Sequence, residues 1–226
     1  MIPVFPDRDS FEDEAFADLD LSRADISNRE FLRCTFTNVQ LPDADLSGAR
    51  FDDCLFNGCD LSRARAVNVA ARGVAFVRCR LMGVDFSELR PTPSLVFEHC
   101  TLQYATFGSA NLTGTRFVSC KLVEVNFFDT RLAEANFTDS DLTGARFEGC
   151  DVRSAQFAGS RSFYIDPAKN VVSGAQINVE QPSRSPPRSA SKWTCDPNPD
   201  RSPAGAGHYR EIANFWTRRP VDASPT

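Results

Sequence analysis

Histidine is almost missing from this 226-residue chain, which holds only His99 and His208. Long apolar runs are missing too: none approaches the ~18 residues that a membrane-spanning helix needs. The opening stretch, Met1 to Asp9, has neither the charged start nor the apolar core of a secretory signal. No HExxH, CxxC, phosphate-binding GxxxxGK(S/T) or GxGxxG occurs. Together these absences predict a soluble cytoplasmic protein that is not an enzyme and uses no metal or cofactor. They leave binding as the function to look for.

What is present is a period. Phe16, Phe36, Phe56 and Phe76 stand twenty apart, and after a one-residue slip near 90 the series resumes at Phe97, Phe117, Phe137 and Phe157. Leu21, Leu41, Leu61 and Leu81 behave alike and continue as Leu102, Leu122 and Leu142. Within each twenty, every fifth residue is apolar. A period of five fits neither a helix nor a simple strand. It fits a chain that turns a corner every five residues and closes one coil every four sides, with like stacking on like. About seven such coils at ~4.8 Å give a rod of roughly 35 Å.

From Phe11 to Phe86 there are sixteen central positions, of which only Ala66 and Ala71 are not Phe, Leu or Ile; the thirteen from Phe97 to Phe157 are all Phe, Leu or Val. The residue before the centre is often Asp or Asn, and the residues after it are often Ser or Thr and then Gly. These read as corners: short polar side chains bonding local backbone, and Gly where φ is positive. Eight cysteines invite a disulfide or metal reading. Seven of them, Cys34, Cys54, Cys59, Cys79, Cys100, Cys120 and Cys150, lie two residues before a centre. Elsewhere that slot holds Ala, so it is expected to want a small, mildly apolar side chain, which free Cys supplies. Cys59, Cys79, Cys100 and Cys120 should stack as a reduced ladder, with Cys100 pointing in and His99 out.

Segments such as Ala44-Asp45-Leu46-Ser47-Gly48, Ala110-Asn111-Leu112-Thr113-Gly114 and Ser140-Asp141-Leu142-Thr143-Gly144 resemble the A(D/N)LXX motif of pentapeptide-repeat proteins. The resemblance implies an all-β fold, a right-handed quadrilateral parallel β-helix. The expected organisation is an N-terminal cap at 1–10, a β-helix over 11–160 interrupted by a loop at 87–96, a C-terminal cap at 161–180, and a disordered tail at 181–226, where Pro, Ser and Arg accumulate. Charge divides the same way. Residues 1–180 carry 26 acidic and 18 basic groups, whereas 181–226 carry 4 and 7. An acidic body argues against binding nucleic acid directly and for attraction to basic proteins.

Two segments are not dictated by the repeat. The run from Phe76 to Phe86 followed by a Pro-containing loop, and Tyr164-Ile165-Asp166-Pro167-Ala168-Lys169-Asn170-Val171-Val172-Ser173-Gly174-Ala175, resemble the quinolone- and albicidin-resistance subgroup. That resemblance implies a DNA-mimicking partner of DNA gyrase or topoisomerase IV that protects it from inhibitors such as quinolones. The alternative is a generic pentapeptide scaffold with another protein partner. Scattered Thr106, Thr113 and Thr138 speak against ice binding. The implied contact residues are Ser87, Glu88, Leu89, Arg90, Pro91, Thr92 and Pro93 of the loop, with the outward acids Asp45, Asp60 and Asp85. Members of the subgroup dimerise through a short apolar C-terminal helix. Here the segment after Val179 is polar and Pro-rich, so the homodimer does not carry over with the resemblance.

Overall fold

The computed structural model describes residues 8–91 and 93–176. Thr92, the first residues of the expected N-terminal cap, the last of the C-terminal cap and the expected disordered tail lie outside the described residues. The strands are β1 (Ser10–Glu12), β2 (Ala15–Ala17), β3 (Glu30–Leu32), β4 (Thr35–Thr37), β5 (Arg50–Asp52), β6 (Leu55–Asn57), β7 (Ala70–Arg72), β8 (Val74–Val77), β9 (Leu95–Glu98), β10 (Thr106–Gly108), β11 (Arg116–Val118), β12 (Asn126–Phe128) and β13 (Arg146–Glu148). All pair in parallel, in sheets ordered β1-β3-β5-β7, β2-β4-β6-β8-β9-β11 and β10-β12-β13. Isolated parallel bridges extend the sides, for example Asp20↔Gln40↔Asp60↔Arg80↔Thr101↔Lys121↔Asp141↔Arg161. The result is a four-sided parallel β-solenoid of about seven turns, as the period of twenty requires. Among the described residues there is no helix, and so none long and apolar enough to cross a membrane.

Each side is short because its centre must point inward while both neighbours point out. Phe31↔Phe51 and Phe36↔Phe56 are in register, and the slip at Phe76↔Phe97 absorbs one extra residue. One column runs through Phe16, Phe36, Phe56, Phe76, Phe97, Phe117, Phe137 and Phe157, with ring centroids 4.5–5.2 Å apart. Phe163 stacks on Phe157 at 4.8 Å, so an aromatic ring covers that column within the expected C-terminal cap. The main chain continues upward as well, through Asp151↔Val171 and Gln156↔Gln176.

Except at Glu88, a left-handed residue stands two positions past each centre from Phe11 to Phe157. Gly supplies it at Gly48, Gly58 and Gly144, but so do Arg33, Asn38, Asp53, His99 and Glu134, all with φ between 53° and 60°. The expectation of Gly at positive φ is therefore too narrow. The cost of αL for a residue with a Cβ is met by the backbone bonds it gains, such as Asp53 N–H to Arg72 O at 2.8 Å.

The cysteine slot has a more specific demand than small size. After most Phe centres the corner makes no local turn bond, which leaves the Phe carbonyl short of a donor. The side chain one coil above provides it: Cys34 to Phe11 O, Cys79 to Phe56 O and Cys100 to Phe76 O, at 3.3–3.5 Å. Thr130 and Ser140 do the same for Phe107 and Phe117 at 2.6 Å, and Asn170 for Phe147 at 3.0 Å, while Ser160 Oγ adds a second donor to Phe137 O, which already accepts the Ser140 N–H at 3.1 Å. The slot selects a small donor, and all seven described cysteines are free and buried. Cys79 and Cys100 are pushed up to about 12, first by the hydrogen bond to the next thiol of the ladder and then by burial.

Midway, the core thins. Ala66 and Ala71 stand where neighbouring coils have Leu46 and Phe86, or Phe51. Beneath them lies a wholly apolar cavity of about 30 Å³.

Candidate interaction surface

The outer surface is built by the same corner rules. An Asp or Asn before a centre accepts the N–H two residues on: Asp25 from Ser27, Asp60 from Ser62 and Asp85 from Ser87, each at 2.9 Å. These carboxylates are fixed by turn geometry before any partner arrives. At Asp151 the Arg153 guanidinium, helped by the Arg153 backbone N–H, holds the carboxyl below its ordinary range.

Charges then pair up the rod, one coil to the next. Arg63 meets Asp43 at 2.8 Å, Arg65 meets Asp45 at 3.6 Å, and Arg80 meets Asp60 at 3.7 Å. Two of the three acids expected to contact a partner, Asp45 and Asp60, are thus half-neutralised by arginines one coil on. Asp85 is exposed on the same side as Asp45, two coils further along, while Asp60 lies on the adjacent side.

The expected loop divides into ordinary and irregular parts. Ser87 opens a corner, with its Oγ accepting the Gly108 N–H at 3.0 Å, but Glu88 lacks the left-handed φ of the other corners, and its carbonyl, one residue beyond the usual acceptor, takes the Asn68 N–H at 2.7 Å. Leu89 is half-buried against the core. Arg90 is exposed, with its N–H on Val69 O and its Nε on Asn68 O at 3.1 Å. Pro91 is exposed and Pro93 half-buried. Leu95 is already a buried strand residue of β9. The irregular stretch therefore runs from Glu88 to Ser94, and Thr92 lies outside the described residues.

Two features escaped the sequence reading. Glu124, Asp129, Glu134 and Asp139 occupy the four successive corners of one coil, all exposed and all at positive φ. The corners directly below are Tyr104, Ser109, Gly114 and Ser119, and those above are Gly144, Gly149, Ser154 and Gly159, so the belt is flanked by uncharged positions. Acids spaced by five, two residues past each centre, were the available signal. The second feature is Phe128, which points outward and is 41% exposed. Its ring lies where a Cβ on Gly108 would be, 2.0 Å from Cζ. Among the described residues no cluster of three or more His, Cys, Asp or Glu is arranged to hold a metal ion.

Family models for a pentapeptide repeat region and for pentapeptide repeats in eight copies match residues 94–161 and 20–58. No curated protein sequence is significantly similar to this chain. Among solved structures, the chain is similar to trypsin-treated QnrB1, a plasmid-mediated fluoroquinolone resistance protein, at 23% identity over 75% of this chain and 92% of that one, with a TM-score of 0.40. It is also similar to HetL, a pentapeptide repeat protein involved in heterocyst differentiation regulation from the cyanobacterium Nostoc sp. strain PCC 7120, at 18% identity over 74% and 84%, with a TM-score of 0.48. With its five-residue sides, inward centres and twenty-residue coils, the chain carries pentapeptide repeats over both matched segments and folds as a pentapeptide-repeat solenoid.

Proposed function

We propose that this rod is a protein-binding module that presents a DNA-like acidic surface to a type II topoisomerase such as DNA gyrase, and protects the enzyme from inhibitors that act on its DNA complex. The observation that carries the reading is the belt of Glu124, Asp129, Glu134 and Asp139. Four exposed carboxylates fall within one coil, a rise of ~4.8 Å. B-DNA carries about three phosphate charges over that distance. Lys121 and Arg131 lie on the sides of the same coil, so the match holds at the corners rather than for the coil as a whole.

Averaged along the rod the likeness is weaker. The described residues hold 24 acidic and 18 basic groups. A duplex of roughly 35 Å would carry about 20 negative charges, so the rod has roughly a third of that. Such a field steers association more than it supplies affinity. The cross-coil pairs at Asp45 and Asp60 favour the second reading, a scaffold for another protein partner with its outer charges internally satisfied.

Gyrase supercoiling in the presence of a quinolone decides between them. Titrated full-length protein should restore supercoiling at micromolar concentration, and the variant E124Q/D129N/E134Q/D139N should need at least tenfold more. Absence of rescue by a rod that is folded by circular dichroism would leave the scaffold reading.

A further inference from the structure

We propose that the mid-rod cavity is a binding site for a compact apolar ligand of a few heavy atoms at most. The cavity exists because two adjacent sides of one coil are truncated together. On one side the column reads Leu46, Ala66, Phe86; on the next, Phe51 is followed by Ala71. Leu89 and Leu95, brought in around the extra residue, line the space without filling it, and about 30 Å³ stays open.

Its chemistry selects the occupant. The lining presents no polar surface. A water there would lack the two to four polar partners that hold buried water in place, whereas apolar cavities stay dry and accept apolar guests. The contrast lies within the same rod, since the thiols and hydroxyls of the inward cysteine slot meet carbonyls. An apolar guest restores the dispersion contacts that the two alanines removed.

The site is also reachable. Ala71 and Phe76 are each 7% exposed, whereas Phe97 and Leu102, one coil further on, are at 0%. Among the other buried Phe side chains, exposure above 5% occurs at Phe16 and Phe147, near the rod's ends. The wall over the cavity is the one whose parallel pairing is interrupted among the described residues. Three sides cross the interruption with pairing intact: β8 with β9, Arg80 with Thr101, and Asp85 with Thr106. On the fourth, β7 pairs only backwards with β5 among the described residues, and bridges resume at Asn111↔Arg131. The described backbone bonds that hold the intervening segment to the coil below are Asn68 N–H to Glu88 O, Arg90 N–H to Val69 O, Ser94 N–H to Ala71 O and Val74 N–H to Ser94 O, at 2.7, 2.8, 3.0 and 3.0 Å. Few bonds need to open for a small guest to enter, and its arrival stiffens the softest coil.

Xenon is the probe, applied under pressure to the full-length protein while methyl resonances are followed by NMR. The expected result is a set of saturating shifts confined to Ala66, Val69, Ala71, Val74 and Leu89, with slowed amide exchange at Ser94. Ala71→Leu and Ala66→Leu occupy the space, and either should abolish saturation while leaving the rest of the spectrum in place. Shifts that grow linearly without saturating, that centre elsewhere in the rod, or that persist unchanged in a folded Leu variant would overturn the proposal.

Discussion

Replacing Phe117 with Ala tests the inward column at its best-packed point. The ring is fully buried, stacks on Phe97 and Phe137 at 5.1 Å each, and meets Phe107 and Phe127 edge-on at 5.6 and 6.0 Å. Truncating a buried Phe costs ~3–5 kcal/mol once the residual cavity is counted. The upper end applies here, because continuous ladders hold the flanking coils at their spacing and keep the hole from collapsing. Loss of the ring pairs acts in the same direction. For a domain of this size each kcal/mol moves Tm by roughly 2–4 °C, so the melt should fall by about 10–20 °C. Arg78→Ala is the control: the side chain is exposed and its guanidinium donates to Asn57 Oδ1 at 3.1 Å, a contact of surface strength. Differential scanning calorimetry on the two variants gives the answer. Equal melting temperatures would refute the inward assignment of the column. Hydrogen exchange should place the first loss in the coils that touch residue 117, because a solenoid's stability is a sum over neighbours.

Ser140 Oγ donates to Phe117 O at 2.6 Å and accepts the Cys120 N–H at 3.0 Å; Ser140→Ala should cost ~1–3 kcal/mol in urea unfolding, and Ser140→Cys clearly less. Cys79 and Cys100 stand near 12 against an ordinary thiol value of 9.0. Folded thiols therefore keep their protons longer than unfolded ones, and their contribution is intact below pH 9 and lost as pH rises toward 12. Urea midpoints should drop between pH 8 and 10.5, and drop less in the Cys79→Ser/Cys100→Ser double variant. Gly108→Ala should cost ~1–3 kcal/mol by forcing the Phe128 ring aside, and close to nothing in a Phe128→Ala background; additive costs in the double-mutant cycle would show that the two residues do not interact.

The architecture was legible because each centre is dictated by a contact twenty residues away with its own kind. Phe36 above Phe16 declares the coil length without any homologue. The interruption was legible for the same reason, as a missed beat at Ala66, Ala71 and the residues after Leu89. The donor role of the cysteine slot was not, because Ala and Cys share a size and only the geometry reveals which Phe carbonyls lack a local partner. The candidate surface was read less well than the core. Asp45 and Asp60 follow the repeat, but whether such an acid is free depends on whether Arg65 or Arg80 reaches back one coil, and the motif does not encode that. The belt from Glu124 to Asp139 was visible as spacing and was passed over, since outward acids looked uniform until their neighbours above and below were known.

Because every rung joins residues twenty apart, or twenty-one where the described sides cross the interruption at Phe76↔Phe97, Arg80↔Thr101 and Asp85↔Thr106, the chain never waits for a distant partner. At a synthesis rate of ~5–20 residues per second a ribosome releases a new coil every one to four seconds, while closing a loop of this size takes well under a millisecond. Each coil can therefore settle on the one before it as it emerges. The rod's length is written in the order of its making, and during synthesis the only bare edge that moves is that of the newest coil.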